Sequence, residues 1–359
     1  LHLGIVKPKV VVGSIMAVLF TLGLYQKVKP ERWRSKHKVF VYLSHSLASL
    51  GVDSFFLCNP RSVKHQLIRE KDRYFYQGDA DLRKLIEQKS ISHIVIWGGR
   101  SEADERIRKE VGGLVKIVYA EAGWFPQSRH CYFSPFGTNA DARFQDEGLA
   151  EHRLDRIRFM LERNKILRSM LGFKRSLYAP DFWGARKFDV AKKIFVPLQD
   201  ESDMNIILSS PVKKMSEFLT GLAGLYPGVS FIVRPHPRAR YEKLPDLPNV
   251  EYQDVSEDPY RNYQEYGGVI GINSTMLLQF SILGLPVIGI GEGVASGTGA
   301  YFDADWFSMP VDLGGIEYDA SVSATFFDFL VRVKQIPVRR LKNPRWVRKT
   351  YLYDVFLGN

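Results

Sequence analysis

Two stretches carry the side chains best suited to holding an anion. Residues 231–237 read Phe-Ile-Val-Arg-Pro-His-Pro, an apolar strand that runs straight into Arg234, His236 and, one residue on, Arg238. Pro235 and Pro237 hold that turn extended and remove two backbone donors. Residues 268–272 form a second apolar strand, ending in Asn273, Ser274 and Thr275, which can cap a helix predicted over 276–283. Cations, an imidazole and a helix N-terminus at strand ends suit a phosphate, because a helix start offers free N–H groups and positive potential. Each motif alone has an ordinary explanation: surface arginines pair with nearby carboxylates, and Ser or Thr at a helix start is most often only a cap. Their recurrence at two strand ends favours function.

Carboxylates occupy comparable positions. Gln199-Asp200-Glu201-Ser202-Asp203 follows an apolar strand over 193–197 and stands beside Asn205. A short acidic loop is usually solvated, but this one leaves a strand in a chain of positive net charge, which makes Asp203 a candidate nucleophile or base. Glu121 opens Glu-Ala-Gly-Trp-Phe-Pro-Gln after another buried strand, and Gly123 lets the backbone approach a ligand closely. The ordinary role for Glu121 is a structural ion pair. Gly291-Glu292-Gly293 and Gly297-Thr298-Gly299 match neither a dinucleotide fingerprint nor a phosphate-binding P-loop, and Glu292 is a candidate for holding a ribose or base. No carboxylates, histidines or cysteines recur at metal-ligand spacing, so no metal is expected.

The elements that must position these groups alternate along the chain. In the first half, strands are predicted over 54–57, 93–97 and 114–119, and helices over 36–50 and 79–89. The apolar run 10–24 is shorter than the ~20 residues of a membrane-spanning helix. A buried strand over 9–15 followed by a helix is expected there, rather than a secretory leader. Residues 148–174 read as charge-laced helix with apolar positions Ile157, Met160, Leu161, Ile166 and Leu167. The second half restarts the alternation, with strands at 193–197, 229–233, 250–252, 268–272 and 286–290 and helices at 211–225, 259–266 and 276–283. Such alternation predicts βαβ units, hence an α/β fold of two facing Rossmann-like domains. The basic, aromatic tail 339–356 reads as a helix crossing back to the first domain.

Composition agrees. A chain of 359 residues exceeds one comfortable core, and 45% hydrophobic with 25% charged residues describes an ordinary globular protein. The 50 Lys and Arg against 39 Asp and Glu give a net charge of +11, which favours anionic partners. Nucleic acid is disfavoured, because neither a regular basic helix nor a basic-aromatic sheet emerges. Two cysteines, Cys58 and Cys131, without a pairing pattern suggest reduced thiols and a cytoplasmic protein.

The combination of Val196-Pro197-Leu198-Gln199 to Asp203, Arg234-Pro235-His236-Pro237, and Asn273-Ser274-Thr275 followed by Leu-Gly-Leu-Pro-Val resembles the bacterial capsule-polysaccharide synthesis proteins. Within them the likeness is to the retaining β-Kdo glycosyltransferases, whose acidic Glu-x-Gly motif is similar to Glu121-Ala-Gly. The resemblance spans roughly residues 90–300 and is specific only as a combination. It implies a GT-B-like arrangement: an acceptor-side domain over 1–187, a CMP-sugar-binding domain over 188–335, and a tail 336–359 returning to the first. The donor would be CMP-Kdo, with no metal, and the product a surface glycan such as capsule, O-antigen or lipopolysaccharide. By motif, His236 and Ser274 would contact the CMP phosphate, with Arg234, Asn273, Thr275, Gln199, Arg238 and Glu292 completing the nucleotide site. Asp203 would attack the anomeric carbon and Glu121 would serve the acceptor hydroxyl as base. Arg100, Arg234 or Arg238 would neutralise the sugar carboxylate. A lipid-linked acceptor and a peripheral contact with the inner membrane remain open. Rival readings are a sialyltransferase-like enzyme or glycerophosphate transferase using a cytidine nucleotide, and a non-catalytic glycan- or nucleotide-binding subunit.

Overall fold

Parallel strands alternate with helices in two compact units of the computed structural model, which describes residues 16–22, 30–58, 72–75 and 79–358. Unit 1 holds the described residues up to Ala120 together with those from Val338 onward; unit 2 is Glu121–Pro337.

Unit 1 begins with β1 (Ala17–Leu22), α1 (Pro30–Ser49), β2 (Asp53–Cys58) and β3 (Arg73–Phe75). It continues through α2 (Asp79–Gln88), β4 (Ile91–Trp97), α3 (Glu102–Val111) and β5 (Lys116–Ala122). The strands run parallel in the order β5-β4-β1-β2-β3. β1 corrects one expectation: the apolar run is a strand at 17–22, where a helix was expected. Ala17, Val18, Leu19 and Phe20 are fully buried, and a central parallel strand covered on both faces is a continuous apolar run with no helical period. The expected strand over 9–15 lies outside the described residues.

Unit 2 opens with an antiparallel pair, β6 (His130–Ser134) and β15 (Ile336–Pro337), and the helices α4 (Arg156–Leu171) and α5 (Phe173–Ser176). Next come β7 (Ala185–Lys187), β8 (Lys193–Pro197), α6 (Met204–Ser209), α7 (Met215–Leu225), β9 (Phe231–Arg234), β10 (Val250–Tyr252) and β11 (Tyr266–Gly271). The unit closes with α8 (Thr275–Leu283), β12 (Val287–Gly289), β13 (Phe302–Asp303), β14 (Glu317–Asp319) and α9 (Ala320–Phe329). Six of these strands form a parallel sheet in the order β10-β9-β8-β11-β12-β13, the third-second-first-fourth-fifth-sixth order of a Rossmann sheet. The helix expected over 259–266 is instead a turn that delivers Tyr266 into β11. Tyr260, Tyr263 and Tyr266 mimic a helical face in spacing, yet Tyr266 stacks on Phe195 of the neighbouring strand at 4.9 Å.

Residues 121–187 share a core with this sheet. Trp124, Tyr132, Phe144, Phe159 and Phe182 pack in one apolar cluster with Phe195, Val269, most of α8 and Phe327. The sequence boundary at 187/188 therefore falls within unit 2. After β15 the chain returns to unit 1 through the turn Val338–Lys342, α10 (Pro344–Val347) and α11 (Tyr351–Leu357). Leu341, Val347, Leu352 and Phe356 are buried there. Ser46 of α1 donates to the Leu341 carbonyl, and the Lys342 ammonium sits 4.6 Å over the Tyr42 ring.

Candidate functional site

The sheet of unit 2 reverses its building order between β8 and β11, since later strands are laid to one side of β8 and then to the other of β11. Loops leaving the carboxyl ends of the two strands at such a point diverge and leave a crevice, the usual ligand position in open α/β sheets. Here the loops are 198–203 and 272–274, and the turn 235–241 leaves the adjacent strand β9.

Hydrogen bonds tie the three loops together. The Gln199 side chain donates from Nε2 to Asn273 Oδ1 (2.8 Å) and accepts the Asn273 amide at Oε1 (3.1 Å). Asn273 Nδ2 faces the carbonyls of Asn205 (3.0 Å), Ser209 (3.3 Å) and Glu292 (3.0 Å). The Tyr241 hydroxyl accepts the His236 amide (2.9 Å) and donates to the Gln199 carbonyl (3.1 Å), fixing the double-proline turn to the acidic loop. Burial pushes that phenol up to about 12, so it remains a hydrogen-bond donor.

His236 is half-buried, and its Nδ1 accepts the Arg238 amide at 3.4 Å, which leaves the proton of a neutral ring on Nε2. Burial, then the Arg238 charge, lower its pKa, while the charges of Asp200 and Asp203 act in the opposite direction. The expected result is a neutral imidazole with a donor at Nε2, in electrostatic reach of both aspartates.

Asp203 caps α6: its Oδ1 accepts the Asn205 amide (2.8 Å), as an N-cap aspartate does in any helix. The side chain is exposed, and Oδ2 has no partner among the described residues. Its acidic neighbours are committed elsewhere. Asp200 Oδ1 accepts the Ser202 amide (3.0 Å) and hydroxyl (2.7 Å), while Glu201 accepts the first amide of α7, Met215, at 2.8 Å and pairs with Lys214.

The helix that follows Asn273 and Ser274, α8, is anchored at both ends. Ser274 Oγ accepts the Met276 amide at the N-terminus of α8 (3.3 Å). At the other end two buried arginines meet its carbonyls: Arg163 donates to Ile282 (2.8 Å) and Leu283 (2.9 Å), and Arg186 to Ser281 (2.8 Å). Cations belong at a helix C-terminus, where they oppose the dipole and satisfy free carbonyls. Burial, reinforced by Arg186, lowers the Arg163 pKa to about 10, and the two guanidiniums lie 5.1 and 4.5 Å from the Phe182 ring. Gly284 ends the helix at a φ of 105°, in the left-handed region.

Glu121, the penultimate residue of β5 and the first of unit 2, is half-buried, with Oε1 accepting the Ala122 amide at 2.8 Å. The residues that follow are docked on α8. Gln335 Oε1 accepts the amides of Trp124 (2.8 Å) and Phe125 (2.7 Å), Gln279 donates to the Trp124 carbonyl (3.1 Å), and Gln127 Nε2 donates to Thr275 Oγ1 (2.9 Å). Gly123 is required there, because a Cβ would stand 2.7 Å from that of His130. Trp124, Asn139, Asn205, Ser274, Thr275 and Glu292 line a recess above the Asn273 junction. Asn139 enters it from a left-handed backbone (φ 56°) held by the Tyr132 hydroxyl.

The structure thus brings together Gln199, Asn273, Ser274, Thr275 and Glu292, and joins His236 to them through Tyr241. Three of the residues expected at the ligand also hold the loops in place. The buried Arg234 donates to Gln253 Oε1 (3.0 Å) and to the carbonyls of Asp254 (3.3 Å) and Val255 (2.8 Å), holding the loop after β10. Gln199 and Asn273 are likewise committed to each other and to backbone. Arg238 is exposed, and Arg100 belongs to unit 1. Tyr241, Gln335 and Asn139 were missed by the sequence reading: nothing in their local pattern marks them, since each acts through partners distant in the chain or through an unusual backbone angle. No cluster of His, Cys, Asp or Glu suited to a metal occurs among the described residues.

No family model and no curated protein matches the sequence. Among solved structures, the β-Kdo 2,7 transferase of Thermosulfurimonas dismutans KpsC is similar at a TM-score of 0.53 and 16% identity, covering 91% of this chain and 99% of that one. The β-Kdo 2,4 transferase of the same KpsC is similar at 0.53 and 14% identity, covering 87% and 89%. At these identities the likeness is one of fold: the chain is an α/β protein of Rossmann-like parallel sheets.

Proposed function

We propose that the chain is a retaining glycosyltransferase that moves Kdo from CMP-Kdo to a glycan acceptor of a bacterial surface polysaccharide. The observation that carries this reading is the junction at the switch point, where Gln199, Asn273 and Tyr241 tie an exposed carboxylate loop, an imidazole turn and a helix N-terminus into one network. The motif resemblance to Kdo transferases, and a fold shared with two of them, support the choice of donor.

In this mechanism the CMP phosphate lies at the start of α8, in the positive potential of the helix N-terminus, receiving hydrogen bonds from His236 Nε2 and the Ser274 hydroxyl. Oriented donors at a leaving phosphate stabilise the charge that develops as the glycosidic bond breaks. Asp203 Oδ2 attacks the anomeric carbon from the opposite face, and CMP departs with the electron pair. Glu121 then takes the proton of the acceptor hydroxyl, whose oxygen displaces Asp203. Two inversions give net retention. Arg234, Gln199 and Asn273 act as positioning residues, Thr275 fixes the Glu121 segment through Gln127, Glu292 faces the ribose or base, and Arg238 is the exposed cation nearest His236 in sequence.

Intact-protein mass spectrometry after mixing with CMP-Kdo tests the covalent step, with peptide mapping to locate the adduct and NMR of the product to read its anomeric configuration. An adduct on Asp203 with a retained anomer is expected. An inverted anomer, or an adduct on another carboxylate, would overturn the mechanism.

A further inference from the structure

The solvent face of α4 is not what a solvated helix presents. Its inner face is conventional, with Phe159, Ile166 and Leu167 buried in the core of unit 2. On the opposite side Ile157 is 77% exposed and Leu161, one turn on, 56%. The stripe continues to Arg168, whose guanidinium covers the Phe173 ring at 5.2 Å, and there Phe173 (61%), Leu177 (63%) and Tyr178 (73%) are also exposed. Scattered exposed apolar residues are normal, but five bulky ones along one helix and its following turn form a patch.

Charge identifies what the patch fits. Residues 156–178 contain seven Lys and Arg and one carboxylate, Glu162, which is paired with Lys165. Arg156, Arg158, Lys165, Arg168 and Lys174 are exposed along the stripe. A second copy of the chain would bring the same cations against these, so self-association is opposed. An anionic bilayer surface receives both features at once: apolar side chains enter the headgroup boundary while long cationic ones reach phosphates.

We infer that α4 and the turn after it, from Arg156 to Tyr178, form an interfacial docking surface for anionic phospholipid membranes. The surface lies on a different element from the site residues, and its occupation needs no donor. Its test is therefore independent of the catalytic reading.

The experiment is co-sedimentation of the full chain with vesicles of phosphatidylcholine alone and of phosphatidylcholine mixed with phosphatidylglycerol. Binding to the mixed vesicles, absent with phosphatidylcholine alone and weakened by salt, is expected. Ile157→Asp with Leu161→Asp should lower vesicle affinity by about tenfold or more, and Arg156→Glu with Arg168→Glu should do the same. Hydrogen exchange on the unmodified protein should show residues 156–178 protected when mixed vesicles are added, a readout that survives misfolding of either variant. Absence of binding to mixed vesicles, protection elsewhere in the chain, or unchanged binding by both folded variants would overturn the inference. So would a fall in sedimentation mass on introducing Ile157→Asp and Leu161→Asp, which would make the stripe an interface between copies.

Discussion

Asp203 combines a structural and a proposed chemical role on its two oxygens, and substitutions can separate them. Asparagine caps a helix as well as aspartate does, so Asp203→Asn should leave the melting temperature unchanged while abolishing transfer. Asp203→Ala should abolish transfer and cost about 1 kcal/mol through the lost cap. Near-normal product formation by either variant would remove Asp203 as nucleophile. His236→Ala should weaken CMP binding by about tenfold, the worth of one hydrogen bond to a charged phosphate, which calorimetric titration reads directly. His93 gives a pH signature in unit 1. Burial and then Lys116 lower its pKa to about 4 from 6.5, so the unfolded chain takes up a proton that the folded one refuses. The stability this confers is complete above pH 6.5 and is lost as pH falls towards 4, with a magnitude on the order of 3 kcal/mol. Urea unfolding of the wild type should therefore weaken across that window more steeply than that of His93→Gln.

At the scale of elements, α8 is the piece whose placement matters most, because its first turn is the proposed anion site and its body is core. Arg163→Met would leave the carbonyls of Pro180, Ile282 and Leu283 without their buried donor and should cost about 3 kcal/mol in denaturant unfolding. Two strands of the unit 2 sheet were fully legible in the sequence. Lys193–Pro197 and Val250–Tyr252 were read to the residue, since short apolar or β-branched runs between turn residues have few alternatives. Ala17–Leu22 and Tyr266 were misread for the opposite reason: a fully buried strand has no alternation, and tyrosines three apart imitate a helix. The short helix α6 went unread because Met204–Ser209 exposes Ile207 and Leu208 and so shows no amphipathic period. The polar residues at strand ends were legible by type, whereas the hydrogen bonds that Gln199, Asn273 and Arg234 make to neighbouring loops were not. A side chain that bonds to neighbouring loops and one that bonds to a ligand look identical until the loops are folded.

Across the whole molecule, the candidate site belongs entirely to unit 2. Scanning calorimetry should resolve two transitions, and CMP should raise only the one assigned to unit 2, by about 2.7 kcal/mol of stability at a hundredfold excess over Kd. A ligand that shifted both equally would place part of its site in unit 1. No helix among the described residues is long and apolar enough to cross a membrane. The return of residues from Val338 onward to unit 1 means that this unit is assembled from chain segments made before and after the whole of unit 2. On the ribosome, the second unit can close while the first still lacks the turn and helices that cover α1. Nascent chains stalled at a length that has just released Pro337 from the exit tunnel should thus contain a protease-resistant interior fragment behind a cleavable leading part, and the leading part should gain resistance only once Phe356 has left the tunnel.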